Sequence, residues 1–192
     1  VSTSDAENPK ITDVAAAAPC EVRLICDDED FNFSRRVNLA VLDAVNEFVL
    51  ILNDDVVMTT SDSLDRLVAY ARQPDVAAVG ALLTFPDGTI QHAGHIYEGA
   101  AAHHILEGHN LDLYLDSVLL TDREVSGVTG ACLMTRKTVW QDLGGMSHLF
   151  PLNFNDVDFC LKAGLAGYRI IQASLVRGEH DAHKTRQGVV TQ

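Results

Sequence analysis

The feature that most constrains the fold is an unbroken apolar run, residues 48–52 (FVLIL), which stops abruptly at Asn53-Asp54-Asp55. A run in which every side chain is apolar is typical of a strand buried on both faces, as in a parallel sheet. Ligands of open α/β sheets bind beyond the carboxyl ends of such strands. The run therefore predicts an α/β sheet, with the three polar residues at its ligand-binding edge.

Strand and helix patterns alternate along most of the chain. Apolar strands are predicted at 21–26, 76–85, 128–134 and 168–173, and helices after Ser34, around 64–71, at 138–143 and at 157–166. A turn signal at 86–88 predicts that 89–95 returns as a hairpin arm, and 99–124 is expected to be a surface loop region. This order predicts one α/β domain over 1–192, with a mostly parallel sheet flanked by helices.

The net charge of the chain limits the kinds of partner that it is expected to bind. The 192 residues include 27 acidic and 14 basic side chains, for a net charge of −13. Such a balance argues against nucleic-acid binding, which needs clustered Lys and Arg. A phosphorylated ligand stays compatible with it, because a divalent cation supplies positive charge locally.

The cysteines indicate no zinc site. Cys20, Cys26, Cys132 and Cys160 form no paired zinc-like spacing, and the last three lie in apolar stretches. Buried, reduced thiols of a cytosolic protein are the expectation. No apolar run approaches the roughly 20 residues of a membrane span.

Two acidic clusters could carry chemistry. Adjacent carboxylates at Asp54 and Asp55 repel each other and are better tolerated beside a cation such as Mg²⁺ or Mn²⁺. An acidic turn with a capping role explains them equally well. In the second cluster, Asn155 could cap a helix and Asp158 could complement its dipole. Alternatively, Asp156 is held at the helix start as a general base. Both alternatives stay open for each cluster.

Several histidines and one basic segment are weaker indications of a functional site. His180, after the last predicted strand, suits either a metal ligand or a solvated side chain. Residues 184–188 (KTRQG) suit either a clamp on phosphate oxygens or the end of a tail. A looser group of histidines matches no zinc motif: His92, His95, His103, His104 and His109.

Five segments in this order resemble a family 2 glycosyltransferase of the GT-A fold, most closely the bacterial transferases of O-antigen and rhamnan assembly. The similarity extends over about residues 20–188, and its segments are 31–41 (FNFSRRVNLAV), 49–56 (VLILNDDV), 87–95 (DGTIQHAGH), 128–140 (VTGACLMTRKTVW) and 154–170 (FNDVDFCLKAGLAGYRI).

The resemblance implies a role for each matching residue. Asp55 and His180 would hold Mn²⁺ or Mg²⁺, and Asp156 would be the catalytic base. The nucleotide-sugar donor would be contacted by Asn53, Asp54 and Arg186. His92 and Asp158 are expected on the acceptor side, although the position of Asp158 on its helix also suits a structural role.

The chemistry of sugar transfer fits these residue types. A departing diphosphate is stabilised by a cation acting as a Lewis acid, which removes the need for a basic pocket. The acceptor hydroxyl loses a proton to one carboxylate. One base and one cation predict single displacement with inversion, from a nucleotide sugar to a saccharide or lipid-linked acceptor of bacterial surface polysaccharide. We expect this transfer to take place in the cytoplasm at the inner face of the membrane. Peripheral association with the membrane and a homodimer are further expectations.

Three departures from the family pattern qualify the prediction. Asn155 replaces a glutamate and Asn53 replaces the first aspartate of the metal motif. The chain also begins near the family's second strand, so its opening strand and first helix are expected to be absent. We therefore expect a piece of a longer chain, or one half of a divided site, that is marginally stable or dimeric on its own.

Two rival functions stay open. One is a non-catalytic carbohydrate- or partner-binding domain of the same architecture, which would bind sugar or partner without turnover. The other is a sugar nucleotidyltransferase, which is disfavoured because the chain shows no glycine-rich, basic phosphate loop near its start. Retention of Asp55, Asp156 and His180 together favours the transferase.

Overall fold

A computed structural model describes residues 1–99, 101–114, 119 and 121–181. The helices are α1 (Pro9–Ala17), α2 (Phe33–Asp43), α3 (Ser63–Ala71), α4 (Lys137–Asp142) and α5 (Asn155–Leu165), with a 3-10 turn at Leu111–Leu113. The strands are β1 (Ser2–Thr3), β2 (Ile25–Cys26), β3 (Phe48–Leu52), β4 (Val56–Met58), β5 (Val76–Thr84), β6 (Ile90–His92), β7 (His95–Glu98), β8 (Ala101–His104), β9 (Arg123–Glu124), β10 (Cys132–Arg136) and β11 (Arg169–His180).

The α/β class is confirmed, but the sheet is mixed rather than mostly parallel. Its strands are ordered β3-β10-β5-β11-β4, with β6 beside β5 and β9 beside β11. Strands β5 and β11 pair in parallel, whereas β10 runs antiparallel to both β3 and β5. Strands β4, β6 and β9 also pair antiparallel. The link between β5 and β6 is too short for the crossover that parallel pairing needs, and apolar patterning does not encode the directions of β4 and β10.

Helices cover both faces of this sheet. On one face α2, α4 and α5 enclose a core that includes Val41, Trp140 and Phe159, with the last two rings 4.5 Å apart. On the other face α3 packs Leu67 and Ala71 against β5, β10 and β11. Burying an aromatic ring such as that of Phe159 contributes about 1.5–3 kcal/mol. These two cores hold the strand ends that carry the site.

Strand β3 forms as predicted but is not buried on both faces. In the described part of the chain it pairs with β10 alone, which leaves it at the end of the strand order. Only Ile51 in β3 is buried, and Leu52 is 42% exposed. An apolar run identifies a strand, but it does not tell which neighbours that strand acquires.

Several boundaries differ from the expectation. The cap of α2 is Asn32, whose side chain accepts a hydrogen bond from the Arg35 amide, while Ser34 is buried inside the helix. The strand predicted from residue 21 shortens to β2, which pairs with β1 apart from the main sheet and leaves Cys26 exposed. Within 99–124, β8 pairs with β7. All four cysteines are free, and Cys132 and Cys160 are buried. Among the described residues, no helix combines the length and apolarity needed to cross a membrane.

Candidate active site

The polar residues after β3 meet the end of β11. Because His180 pairs with Val56 in the β4–β11 ladder, the residue before Val56 is brought to the same place. The Asp181 amide donates to the Asp55 carbonyl at 3.2 Å, which ties the two chain segments together. Asp55 Oδ1 then lies 2.9 Å from His180 Nε2, with both side chains about nine-tenths buried. The structure thus brings together the two residues expected to hold a cation.

A residue that the sequence analysis did not single out fixes the His180 ring. The Gln91 amide nitrogen donates to the His180 carbonyl at 3.2 Å, so the Gln91 Oε1 atom must face the ring. That oxygen lies 2.6 Å from His180 Nδ1 and accepts its proton. His180 Nε2 therefore faces Asp55 Oδ1, with the Asn53 amide nitrogen 3.4 Å away. A metal-binding histidine is typically held this way, with its second ring N–H donated to a neighbour.

The donor set fits a divalent cation. A ring nitrogen and a carboxylate oxygen at this distance need either a proton or a cation between them. Adjacent ligands of an octahedral Mg²⁺-like ion, with bonds of about 2.1 Å, are separated by about 3.0 Å. The observed 2.9 Å is compatible with that separation, and it is also the length of an ion pair with a protonated His180. Asp54 is exposed beside this pair and faces solvent.

Asp156 lies at the start of α5, in the first helical turn. Its Oδ2 accepts a hydrogen bond from the Gly130 amide at 2.9 Å, and its Oδ1 accepts one from the Val157 amide at 2.8 Å. A helix N-terminus favours a negatively charged side chain. The half-buried carboxylate is thus oriented by the backbone, while its remaining lone pairs are available to take a proton.

The neighbours of Asp156 settle the capping alternatives. The residue at the cap position of α5 is Phe154, with φ of 63°, and Asn155 is the first helical residue. Asn155 is therefore not the cap, although its Oδ1 accepts a hydrogen bond from the Asp156 amide at 2.9 Å. Asp158 forms an ion pair with Lys162 at 2.9 Å on its own helix. This contact corresponds to the structural role that its helix position suggested.

His92 does not lie on an acceptor-facing surface, contrary to the expectation. Its side chain is fully buried in β6. The Thr129 amide donates to its Nε2 at 3.1 Å, and its Nδ1 lies 2.9 Å from His104 Nδ1. Both ring nitrogens are therefore engaged inside the protein, in a strand whose three residues are all buried.

A three-residue backbone segment connects these groups. The Thr129 amide contacts His92, the next amide, of Gly130, contacts Asp156, and the Ala131 carbonyl accepts a hydrogen bond from the Asn53 amide at 3.0 Å. We call residues 129–131 the linking turn. It joins the segment that precedes Asp55 to the carboxylate at the start of α5.

Sequence reasoning missed Gln91 and the linking turn as parts of the site. Both lie in segments that carried the family resemblance, 87–95 and 128–140, but nothing local indicates which atoms they contact. Arg186, expected to contact the donor, lies outside the described residues.

The chain is similar to known proteins in both sequence and structure. The model of glycosyl transferase family group 2 matches residues 48–187. The uncharacterized protein y4gI of Sinorhizobium fredii is 38% identical over 151 residues, which are 77% of this chain and 16% of that protein. The O-antigen biosynthesis protein RfbC of Myxococcus xanthus is 33% identical over 165 residues, 83% of this chain and 13% of that protein. The chain thus spans a small part of the length of these curated relatives.

Two solved structures share the fold. GalNAc-T7, determined with UDP, GalNAc and Mn²⁺, superposes with a TM-score of 0.72 at 11% identity, over 94% of this chain and 36% of that one. The mannosyltransferase PcManGT from Pyrobaculum calidifontis, determined with GDP-Man and Mn²⁺, gives 0.66 at 18% identity, over 96% and 48%. At these identities the likeness establishes the GT-A fold alone.

Proposed function

The chain belongs to glycosyl transferase family group 2, and on that premise we propose that it moves a sugar from a nucleotide-sugar donor to a saccharide or lipid-linked acceptor by a cation-dependent, inverting reaction. The observation that carries the proposal is the 2.9 Å approach of Asp55 Oδ1 and His180 Nε2, with the ring proton kept on the other nitrogen by Gln91. Two side chains of the kind that hold a divalent cation thus lie side by side in an acidic protein.

The donor side of the proposal rests on that pair. Asp55 and His180 would hold Mn²⁺ or Mg²⁺, whose chemistry is that of a Lewis acid toward the donor diphosphate. Asn53, Asp54 and Arg186 would contact the nucleotide sugar. The UDP and GDP-Man complexes of the two similar folds, each with Mn²⁺, support this assignment by analogy.

The acceptor side rests on Asp156. Its carboxylate takes the proton of the acceptor hydroxyl as that oxygen forms a bond to the anomeric carbon. The bond from the anomeric carbon to the diphosphate breaks with its electron pair. Attack opposite to the departing group in one step inverts the anomeric configuration. The linking turn orients the carboxylate through the Gly130 amide.

The proposal also includes a biological setting. The similarity to an O-antigen biosynthesis protein favours an acceptor in bacterial surface polysaccharide. We extend the proposal to a cytoplasmic reaction at the inner face of the membrane, with peripheral membrane association and a homodimer as testable additions.

The direct test is a screen of nucleotide sugars and nucleoside diphosphates by thermal shift, with Mn²⁺ and with EDTA. Binding to the folded state alone raises stability by about 2.7 kcal/mol at a hundredfold excess over Kd. A bound donor is then followed for sugar release by chromatography. Asp55→Asn should lose the Mn²⁺-dependent shift, whereas the same change at the exposed surface residue Asp142 should keep it. Donor binding without any sugar release or transfer would favour the non-catalytic alternative.

A further inference from the structure

Three histidine side chains near Asp156 contact one another. The rings of His92, His95 and His104 lie 4.8–4.9 Å apart, each at a steep angle to the others. One nitrogen of each lies within 4.8 Å of the others, which is the pattern of a metal site. His92 and His95 are buried and His104 is half-buried. We define these three residues as the histidine cluster.

The proton positions on the His92 ring decide whether the histidine cluster can bind a metal ion. The Thr129 amide donates to His92 Nε2 at 3.1 Å, so that nitrogen carries no proton. A neutral ring then has its proton on Nδ1, which donates to His104 Nδ1 at 2.9 Å. A metal ion on Nδ1 would move the proton to Nε2, directly against the Thr129 amide hydrogen. His92 therefore has no lone pair to give to a metal.

From this geometry we infer that His92 is a positioning residue rather than a metal ligand or an acceptor contact. It is a neutral histidine in the Nδ1–H form that holds the linking turn through Thr129, and thereby the Gly130 amide that orients Asp156. His104 fixes the tautomer by accepting the Nδ1 proton. The inference rests on the proposed function only in its effect on the rate.

The surroundings keep His92 in the form that the contact needs. Complete burial, reinforced by the neighbouring His95, His104 and Arg123, lowers the pKa of His92 well below its ordinary value. Burial likewise lowers the pKa of His95 to about 4, although the Asp156 carboxylate acts in the opposite direction. Arg123 reaches the cluster from β9, where it donates to the Ala93 carbonyl at 2.7 Å.

The linking turn transmits the effect because its consecutive amides have different partners. The Thr129 amide is fixed by His92 and the Gly130 amide by Asp156. Without the acceptor at His92, the half-buried Thr129 amide would turn toward another partner, and the peptide that follows would turn with it. Asp156 would then lose its hydrogen bond from Gly130, whereas the contacts between Asp55, His180 and Gln91 would keep all their partners.

The first test reads the tautomer directly and needs no activity. Two-bond ¹H–¹⁵N spectra of the ring-labelled chain should show His92 protonated at Nδ1 and bare at Nε2. These shifts should stay constant between about pH 8 and about pH 6, where ordinary histidines titrate. One equivalent of Zn²⁺ should leave them unchanged. An Nε2–H ring, a titrating His92, or a Zn²⁺-induced shift at the cluster would overturn the inference.

The second test separates positioning from packing. His92→Leu keeps most of the volume and removes the acceptor, whereas His92→Gln retains an acceptor oxygen. We expect kcat for sugar transfer or donor hydrolysis to fall about 10–100-fold in His92→Leu, as for the loss of an orienting neighbour. KM for the donor should change less than about threefold, and His92→Gln should recover part of the rate. Equal loss in both variants, in proportion to lost thermal stability, would show a packing role.

The two tests distinguish failure of the inference from failure of the proposed function. If Asp156→Asn leaves the rate unchanged, the proposed base is wrong, and the spectra still decide the tautomer of His92. If Asp156→Asn abolishes transfer while His92→Leu keeps the full rate, the base stands and the positioning role is wrong. Should His92→Leu not fold, His104→Phe removes the acceptor for the Nδ1 proton at a half-buried position, while the Thr129 amide should still hold His92 in the Nδ1–H form. An Nε2–H ring in this variant would overturn the inference.

Discussion

The candidate site has two halves, and a different kind of contact orients the functional group in each. The cation half consists of Asp55, His180 and Gln91, and its contacts run mainly between side chains that strand pairing brings together. The base half consists of Asp156 and the linking turn, and its contacts run mainly from backbone amides to a side chain. In each half, the reactive group is oriented by a neighbour that does no chemistry itself.

This difference predicts which substitutions disrupt each half of the site. Side-chain contacts can be removed one at a time by substitution, so the cation half should lose function in proportion to the ligand removed. Backbone contacts survive most substitutions but depend on the conformation of a turn. Neighbouring residues of β6 serve the two halves, because alternate side chains of a strand point to opposite faces. Gln91 faces His180 and His92 faces Thr129.

The largest expected effect separates the two halves by rate and binding. Asp156→Asn keeps the shape of the side chain but removes the base. Transfer or donor hydrolysis should fall about 10²–10⁴-fold, while Mn²⁺ binding is unchanged and the chain still folds. Asn has one acceptor oxygen for the Gly130 and Val157 amides in place of two, so stability should fall by about 1–3 kcal/mol. The rate is measured by chromatographic product analysis and folding by thermal unfolding.

Asp158→Asn is the matched control for this change. It removes the ion pair with Lys162, which on a helix surface is worth about 0.3–0.5 kcal/mol. Activity should therefore stay near that of the parent chain. A normal rate in Asp156→Asn together with a collapsed rate in Asp158→Asn would reverse the assignment.

A smaller effect is expected from the orienting residue of the cation half. Gln91→Leu removes the acceptor for the His180 Nδ1 proton, so Mn²⁺ affinity should fall about 10–100-fold. Gln91→Glu keeps an acceptor oxygen at that place and should bind Mn²⁺ more tightly than Gln91→Leu. Free Mn²⁺ is measured by electron paramagnetic resonance. Equal affinity in the parent chain and Gln91→Leu would mean that His180 needs no such orientation.

The last effect is on acid stability, and it comes from the histidine cluster beside the base half. Burial lowers the pKa of His95 to about 4, so the unfolded chain binds more protons than the folded one between that pH and the ordinary value of 6.5. Stability therefore falls as the pH decreases through this window, by about 1.4 kcal/mol per pH unit for one such histidine. Burial of His92 acts in the same direction.

Urea unfolding at several pH values across the window measures this slope. His95→Gln cannot bind the proton, so its stability should fall less steeply with decreasing pH than that of the parent chain. The carboxyl groups of Asp27 and Asp75 contribute little here, because ion pairs with arginines lower their pKa values below 3.8. Parallel slopes for the two chains would contradict a neutral, buried His95.

The sequence predicted what depends on local pattern. The apolar run of β3, the polar residues that follow it and the helix that carries Asp156 were all recognisable from composition and spacing. The direction of β10 and the position of β3 at the end of the strand order were not, because an apolar strand has the same pattern in either arrangement. The partners of Gln91 and His92 lie 89 and 37 residues away in the chain, so no local signal reveals them. The roles of Asp54 and Arg186 toward a donor stay predictions.

The central claim is that Asp55 serves a cation-bridged nucleotide while Asp156 serves the proton transfer. The most direct measurement is calorimetric titration of a nucleoside diphosphate into the parent chain, Asp55→Asn and Asp156→Asn, each with Mn²⁺ and with EDTA. We expect the nucleoside diphosphate to bind in an Mn²⁺-dependent manner to the parent chain and to Asp156→Asn, and we expect Asp55→Asn to lose this binding. Equal binding in Mn²⁺ and EDTA, or equal loss in both variants, would contradict the division of the site into a cation half and a base half.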